Sequence, residues 1–159
     1  MKVKVKVPAT SANLGPGFDV AGLALTLYNT FTFELNEGGL NITGCPTQFC
    51  NEENLTYQAF SQAAQSCGLD FKGVNIHCES QVPYTRGLGS SSTCIVAGIV
   101  GAFAFKDKTD DRQEILELAT KIEGHPDNVA PAIFGGLTVS VMEEEQGLTL
   151  NIPVKHEYR

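Results

Sequence analysis

The run Pro83-Tyr84-Thr85-Arg86-Gly87-Leu88-Gly89-Ser90-Ser91-Ser92-Thr93 concentrates more potential chemistry than any other stretch of the chain. Two glycines bracket one leucine, and a string of hydroxyl residues follows. Glycine lets the backbone approach a ligand closely. The start of a helix offers unpaired N–H donors at the positive end of the helix dipole. Serine hydroxyls can cap that helix, contact phosphate or ligate Mg²⁺. Together these features describe a cradle for a di- or triphosphate. Two other phosphate motifs do not fit. No lysine precedes the Ser/Thr, as a Walker loop requires, and Ser92 stands where a dinucleotide fingerprint has its third glycine. The plain alternative is a loop leading into a serine-capped helix.

Two further segments carry polar groups in turn-like surroundings. The first is Pro8-Ala9-Thr10-Ser11-Ala12-Asn13-Leu14-Gly15-Pro16-Gly17-Phe18-Asp19. It follows a strand, and its Asn13 and Asp19 can hydrogen-bond a polar substrate; read alone, it is equally a structural turn. The second is Glu123-Gly124-His125-Pro126-Asp127-Asn128-Val129-Ala130-Pro131. It packs His125, Asp127 and Asn128 into a glycine–proline turn, an arrangement that can hold a hydroxyl near a base. The alternative is a helix end, with Asp127 or Asn128 capping the helix that follows.

Alternation and helical periodicity supply the elements that must position these segments. Val3, Val5 and Val7 share one face of a first strand that Pro8 should end. Ala9 to Asp19 reads as loop. Phe31, Phe33 and Leu35 alternate in a second strand, and Gly38-Gly39 predicts a hairpin into Leu40–Thr43. Residues 44–53 read as loop. Asn54 predicts the cap of a helix to Cys67, stopped by Gly68. Val74, Ile76 and Cys78 form a third strand region. Ser90 to Phe105 is apolar and rich in small residues, so it should be a buried helix. Asp110 or Asp111 should cap a helix ending at Gly124, with Ile115, Leu118, Ala119 and Ile122 as its core stripe. Strands are expected at 137–142 and 148–154 around an acidic turn. The pattern is a single α+β domain with strands grouped early and late.

Bulk properties narrow the function classes. The 159 residues carry a formal net charge of −7. That balance opposes non-specific nucleic-acid binding, which needs a basic face, and directs any anion site to backbone N–H groups and helix ends. No apolar run is long enough to span a bilayer, and the alternating N-terminus reads as a strand rather than a signal peptide. The five cysteines, Cys45, Cys50, Cys67, Cys78 and Cys94, are odd in number, and no pair has C-x-x-C spacing. They are expected to be free, buried thiols in a reducing compartment, which makes the protein cytoplasmic, with neither nucleic acid nor membrane as partner.

The three segments together resemble the superfamily of galactokinase, homoserine kinase, mevalonate kinase and phosphomevalonate kinase. Gly87 to Thr93, after Pro83, is similar to its phosphate-binding motif. Pro8 to Asp19, and Gly124 to Pro131 followed by Phe134-Gly135-Gly136, resemble the homoserine kinase branch. The resemblance covers nearly the whole chain. It implies a two-layer mixed sheet with helices, like the second domain of ribosomal protein S5, with residues 1–159 as the N-terminal ATP-binding kinase domain. The family's C-terminal domain, with its second glycine-rich loop and carboxylate-binding arginines, has no counterpart in this chain, so the chain alone is expected to be inactive. The implied activity is transfer of phosphate from ATP to the side-chain hydroxyl of L-homoserine, a step of threonine biosynthesis. A related kinase of another small alcohol, such as mevalonate, or a non-catalytic nucleotide-binding fragment are the alternatives.

Residue roles follow from the same resemblance. Pro83 to Thr93 would wrap the ATP phosphates, and Ser91 and Glu117 would ligate Mg²⁺. Periodicity alone makes Glu117 a solvated residue opposite the core stripe. Asn13, Asp19, His125 and Asn128 would contact homoserine, with Asp19 on its ammonium and Asn128 on its hydroxyl. Asp127 matches the base of related mevalonate kinases, although phosphoryl transfer rests mainly on positioning and charge stabilisation. L-homoserine is the expected small-molecule partner. Self-association, as a homodimer, is the expected assembly.

Overall fold

A computed structural model describes residues 1–12, 14–17, 20–143 and 146–154. The chain runs β1 (Lys2–Ser11), β2 (Ala21–Asn36), β3 (Leu40–Thr43), α1 (Leu55–Cys67), β4 (Gly73–Glu79), α2 (Ser90–Ala104), α3 (Arg112–Glu123), α4 (Pro126–Phe134), β5 (Leu137–Glu143) and β6 (Gln146–Ile152). Six strands form one mixed sheet with β2 at its centre. The long β2 pairs with β1 along one side; on the other, its C-terminal part meets β4 and its N-terminal end meets β5, all antiparallel.

Alternation sets the two faces of the sheet. Val3, Val5 and Val7 of β1 lie opposite Phe33, Phe31 and Asn29 of β2, and Val74, Ile76 and Cys78 of β4 continue the same buried face. The helices cover that face. Phe33 stacks on Phe60 of α1 at 5.4 Å between ring centroids. The small residues of α2 permit close contact on both sides: a Cβ at Gly101 would meet the Phe33 ring, and one at Gly98 would run into the backbone of α1. Lys2, Lys4 and His77 stand on the opposite, open face. There Lys2 and Lys4 reach Glu34 and Glu79 at 3.5 and 3.8 Å, exposed pairs worth little stability.

The local signals for α1 hold in full. The Asn54 side chain accepts hydrogen bonds from the Thr56 and Tyr57 amides, and Gly68 takes the left-handed conformation that ends the helix. Other expectations need correction. Strand β3 is not the second arm of a hairpin with β2: it pairs in parallel with β4, which lies between them. β1 does not end at Pro8 but continues to Ser11 through a register shift between Pro8 and Thr10. Pro8 is tolerated because β1 is an edge strand, where a missing N–H costs no ladder bond. The buried face of α3 includes Leu116 and Thr120 along with Ile115 and Ala119, while Leu118 and Ile122 are only partly buried. All five cysteines are free, but only Cys67 and Cys78 are buried; Cys45, Cys50 and Cys94 are half-buried. Among the described residues, no helix is long and apolar enough to cross a membrane.

Candidate active site

The loop from Pro83 to Gly89 is fixed at its entry by one buried carboxamide. Asn29 of β2 is 1% exposed. Its Oδ1 accepts from the Gln81 and Val82 amides, both at 2.9 Å, and from Ser80 Oγ at 3.1 Å. Its Nδ2 donates to Thr93 Oγ1 at 2.9 Å, in the first turn of α2. Asn29 therefore ties the approach to the loop and the start of α2 to the centre of the sheet. The sequence reading missed this residue, although its place on the same strand face as Phe31 and Phe33 was a signal.

At the far end, the loop is pinned to β1 by the Thr10 amide, which donates to the Leu88 carbonyl at 3.1 Å. Gly87 and Gly89 have φ of 69° and 62°, the left-handed region that glycine enters without strain. Around Gly87 the space a Cβ would fill is open, whereas a Cβ at Gly89 would run into Thr10 Oγ1 and approach Asn128 Oδ1. Gly89 thus serves the protein's own packing, and Gly87 leaves room for something outside it.

α2 opens with no side-chain cap. Gly89 occupies the cap position, and the first helical bond is Thr93 N–H to the Gly89 carbonyl at 3.0 Å. The serine-capped alternative is thereby replaced. Thr93 Oγ1 turns back to the Ser90 carbonyl at 2.8 Å. Ser91 and Ser92 donate their hydroxyls to Glu123 Oε1 of α3, at 2.9 and 3.3 Å. Glu117 lies elsewhere on α3, exposed, where it accepts from Gln113 Nε2 at 3.2 Å. The structure thus brings Ser91 to Glu123 rather than to Glu117.

The third segment forms the start of α4, not a turn. His125, rather than Asp127 or Asn128, takes the cap position: its Nδ1 accepts from the Asp127 amide at 3.4 Å. The same nitrogen lies 3.2 Å from Asp127 Oδ1. Asn128 Oδ1 accepts from Thr10 Oγ1 at 2.9 Å, and Asn128 Nδ2 points to Asp127 Oδ1 at 3.4 Å. Thr10, Gly89 and Asn128 therefore meet, so the N-terminal segment, the glycine–serine loop and α4 converge on one place. Gly22 of β2 allows this docking, since a Cβ there would run into the Asp127 carbonyl. Asn13 and Asp19 lie outside the described residues.

Beside the serines opens an apolar cavity of about 210 Å³, lined by Phe31, Ile42, Phe49 and Tyr84 among others and reaching Ser90 and Ser91. Burial pushes the Tyr84 hydroxyl above its ordinary pKa. The Cys78 thiol on the same wall is raised to about 12, first by burial and then by the neighbouring thiols Cys94 and Cys45. An apolar slot that ends at uncapped helix amides and hydroxyls suits a ligand with a flat apolar part and an anionic part.

A mixed sheet that carries a glycine–serine loop into a buried helix is the architecture of a small-molecule kinase domain. The model of the GHMP kinases N terminal domain matches residues 54–136, and the chain belongs to that family. Homoserine kinase of Clostridium beijerinckii is 50% identical over 155 residues, 97% of this chain and 52% of that protein. Homoserine kinase of Clostridium botulinum is 48% identical over 99% of this chain and 53% of its own length. The structure of homoserine kinase from Cytophaga hutchinsonii superposes with a TM-score of 0.77 at 29% identity, covering 97% of this chain and 52% of that one. The chain spans about half the length of the curated relatives it matches. Its fold is the ribosomal protein S5 domain 2-like arrangement of the family's N-terminal domain.

Proposed function

We propose that the protein transfers phosphate from ATP to the side-chain hydroxyl of L-homoserine, and that this chain supplies the nucleotide site and the part of the substrate site that faces the hydroxyl. The observation that carries this reading is the uncapped start of α2: serine hydroxyls and amides open beside an apolar cavity, with Asn128 adjoining Gly89. The base of ATP would occupy the cavity and its phosphates the loop from Pro83 to Thr93. Soluble, cytoplasmic biosynthesis is the setting this reading assigns.

The residues fit a divalent cation with hard oxygen ligands. Ser91 donates a hydrogen bond to Glu123, which leaves the hydroxyl's lone pairs free for a metal. Among the described residues, no three His, Cys, Asp or Glu side chains are grouped to hold a metal by themselves. That suits Mg²⁺, which keeps several waters and takes phosphate oxygens. Ser91 and Glu117 are the proposed ligands, with Glu123 orienting Ser91. Bound Mg²⁺ would neutralise charge on the transferring phosphoryl group.

On the acceptor side, Asn128 would hold the homoserine hydroxyl and His125 would contact the substrate. Asn13 would be a second contact, and Asp19 would face the ammonium. Asp127, 13% exposed in its side chain and beside His125, is the candidate base; positioning and charge stabilisation carry most of the rate in such transfers.

Calorimetric titration of the folded chain with ADP and Mg²⁺ tests the nucleotide site. Saturable binding that Gly87→Val weakens at least tenfold is expected, and absence of binding by the folded chain would refute the reading. A coupled ADP-release assay with L-homoserine and mevalonate as alternative acceptors then tests the substrate: turnover with mevalonate alone would overturn homoserine as acceptor.

A further inference from the structure

Cys45 and Cys50 flank a short turn at Thr47–Phe49, and their sulfurs lie 3.6 Å apart. Both thiols are free and half-buried. Cys45 lines the apolar cavity, as does Phe49 within the turn, whose ring sits 6.4 Å from that of Tyr84 in the glycine–serine loop. A disulfide holds its sulfurs at about 2.05 Å, so the closure required is about 1.5 Å, within reach of side-chain rotation across so short a turn. Cys45 lines the cavity and Cys50 does not, so joining the two alters the wall at Cys45 and fixes the turn that carries Phe49.

We propose that Cys45 and Cys50 form a reversible redox pair in the cavity wall, closed by a peroxide and opened by a dithiol. The Cys50 sulfur attacks one peroxide oxygen; the O–O bond breaks, and the released hydroxide takes up the thiol proton as water, leaving a sulfenic acid on Cys50. The Cys45 sulfur then attacks the Cys50 sulfur. The S–S bond forms, the S–O bond breaks, and the departing hydroxide leaves with the Cys45 proton as a second water. Two thiols lose two electrons in all, and one peroxide is reduced. The order follows from the surroundings. Burial, together with the hydrogen bond to Cys50, pushes the Cys45 thiol up to about 11, which starves it of the thiolate the first attack requires. Once the sulfenic acid stands 3.6 Å away, proximity replaces acidity as the driving factor.

The pair is independent of the proposed nucleotide site; only its consequence for ligand binding rests on that reading. The whole chain is treated with hydrogen peroxide and mapped by mass spectrometry. The expected product lacks two hydrogens, localised to a peptide containing Cys45 and Cys50, and dithiothreitol restores them. Amide exchange across residues 47–50 should slow about tenfold on oxidation. Cys45→Ser should instead accumulate a dimedone-reactive sulfenic acid on Cys50, and Cys50→Ser should lose the product. A disulfide to Cys78 or Cys94, over-oxidation of Cys50 without a disulfide, or unchanged exchange across the turn would overturn the proposal. Oxidation should change ADP affinity at least fivefold, because closure displaces the Cys45 sulfur in the cavity wall. Failure of the reduced chain to bind ADP would refute the nucleotide reading alone, while mass and exchange would still decide the redox pair.

Discussion

Replacing Asn29 by alanine removes one carboxamide and strands several partners at once. The Val82 amide loses its acceptor in a buried position, while Thr93 Oγ1 loses a donor but keeps its own bond to the Ser90 carbonyl. The Gln81 amide and Ser80 Oγ lie nearer solvent, and Ser80 keeps its bond to the Val82 carbonyl. The unpaired Val82 amide costs about 1–3 kcal/mol and the lost bond to Thr93 about 1 kcal/mol more, so the two together give roughly 2–4 kcal/mol, a large part of the ~5–15 kcal/mol that a typical domain possesses. Urea unfolding followed by circular dichroism measures it directly, and Asn29→Ala should lower the midpoint without changing the slope. Thr93→Val removes only one of the four contacts and should cost about 1 kcal/mol. The double variant should show a coupling of at least ~0.5 kcal/mol, since the residues touch. ADP affinity should fall more than tenfold in a temperature range where Asn29→Ala is still folded, because the entry to the loop is released. A loss below about 1 kcal/mol, or full ADP affinity, would refute the view that this carboxamide fixes the loop.

Gly89→Ala should destabilise by about 1–3 kcal/mol, from a φ of 62° and a clash with Thr10 Oγ1; adding Thr10→Ala should recover part of the loss in thermal melts. Glu117→Gln should raise the Mg²⁺ concentration that half-saturates ADP binding at least fivefold. Glu123→Gln should produce a smaller rise, since it disturbs the metal only through Ser91. Unchanged Mg²⁺ dependence in both would remove the α3 carboxylates from the site. For pH, the Cys78 thiol is raised from 9.0 to about 12 in the folded chain. Above the unfolded value the unfolded chain has released a proton that the folded chain retains, so stability falls as pH rises from about 9 toward 12. Cys78→Ala should flatten that decline in urea titrations at alkaline pH.

The sequence was legible where a local device decided the outcome. Asn54 and Gly68 bound α1 through bonds within a few residues, and the small, apolar run from Ser90 could only be a buried helix. It was less legible where distant partners decided. Gly38-Gly39 signals a turn, but the edge that β3 joins belongs to β4, more than thirty positions on, and no residue near the turn reports that. The stripe on α3 was misplaced by part of a turn because Thr120 is polar and yet buried. In the site, the glycine–serine loop and the α4 segment could be found from residue types, whereas the contact of Ser91 with Glu123 depends on how α2 and α3 pack. His125 as a cap escaped notice because imidazole is an uncommon capping group compared with Asp or Asn.

The attachment of β5 has a consequence for how the chain is made. Thr138 of β5 bonds the Gly22 carbonyl of β2 across 116 positions, and the α4 segment that carries Asn128 packs against the same end of β2. At about 5–20 residues per second of synthesis, the end of β2 waits roughly 6–25 s before its partner leaves the ribosome. During that interval β1 and β2 can already pair, and the other edge of β2, from Ala21 to Leu23, stands open. Until β5 closes it, the nascent sheet offers an edge to any other extended chain nearby. The last steps that seal the sheet also assemble the site, so a stalled or slowly synthesised chain would expose its most adhesive edge for as long as it lacked its function.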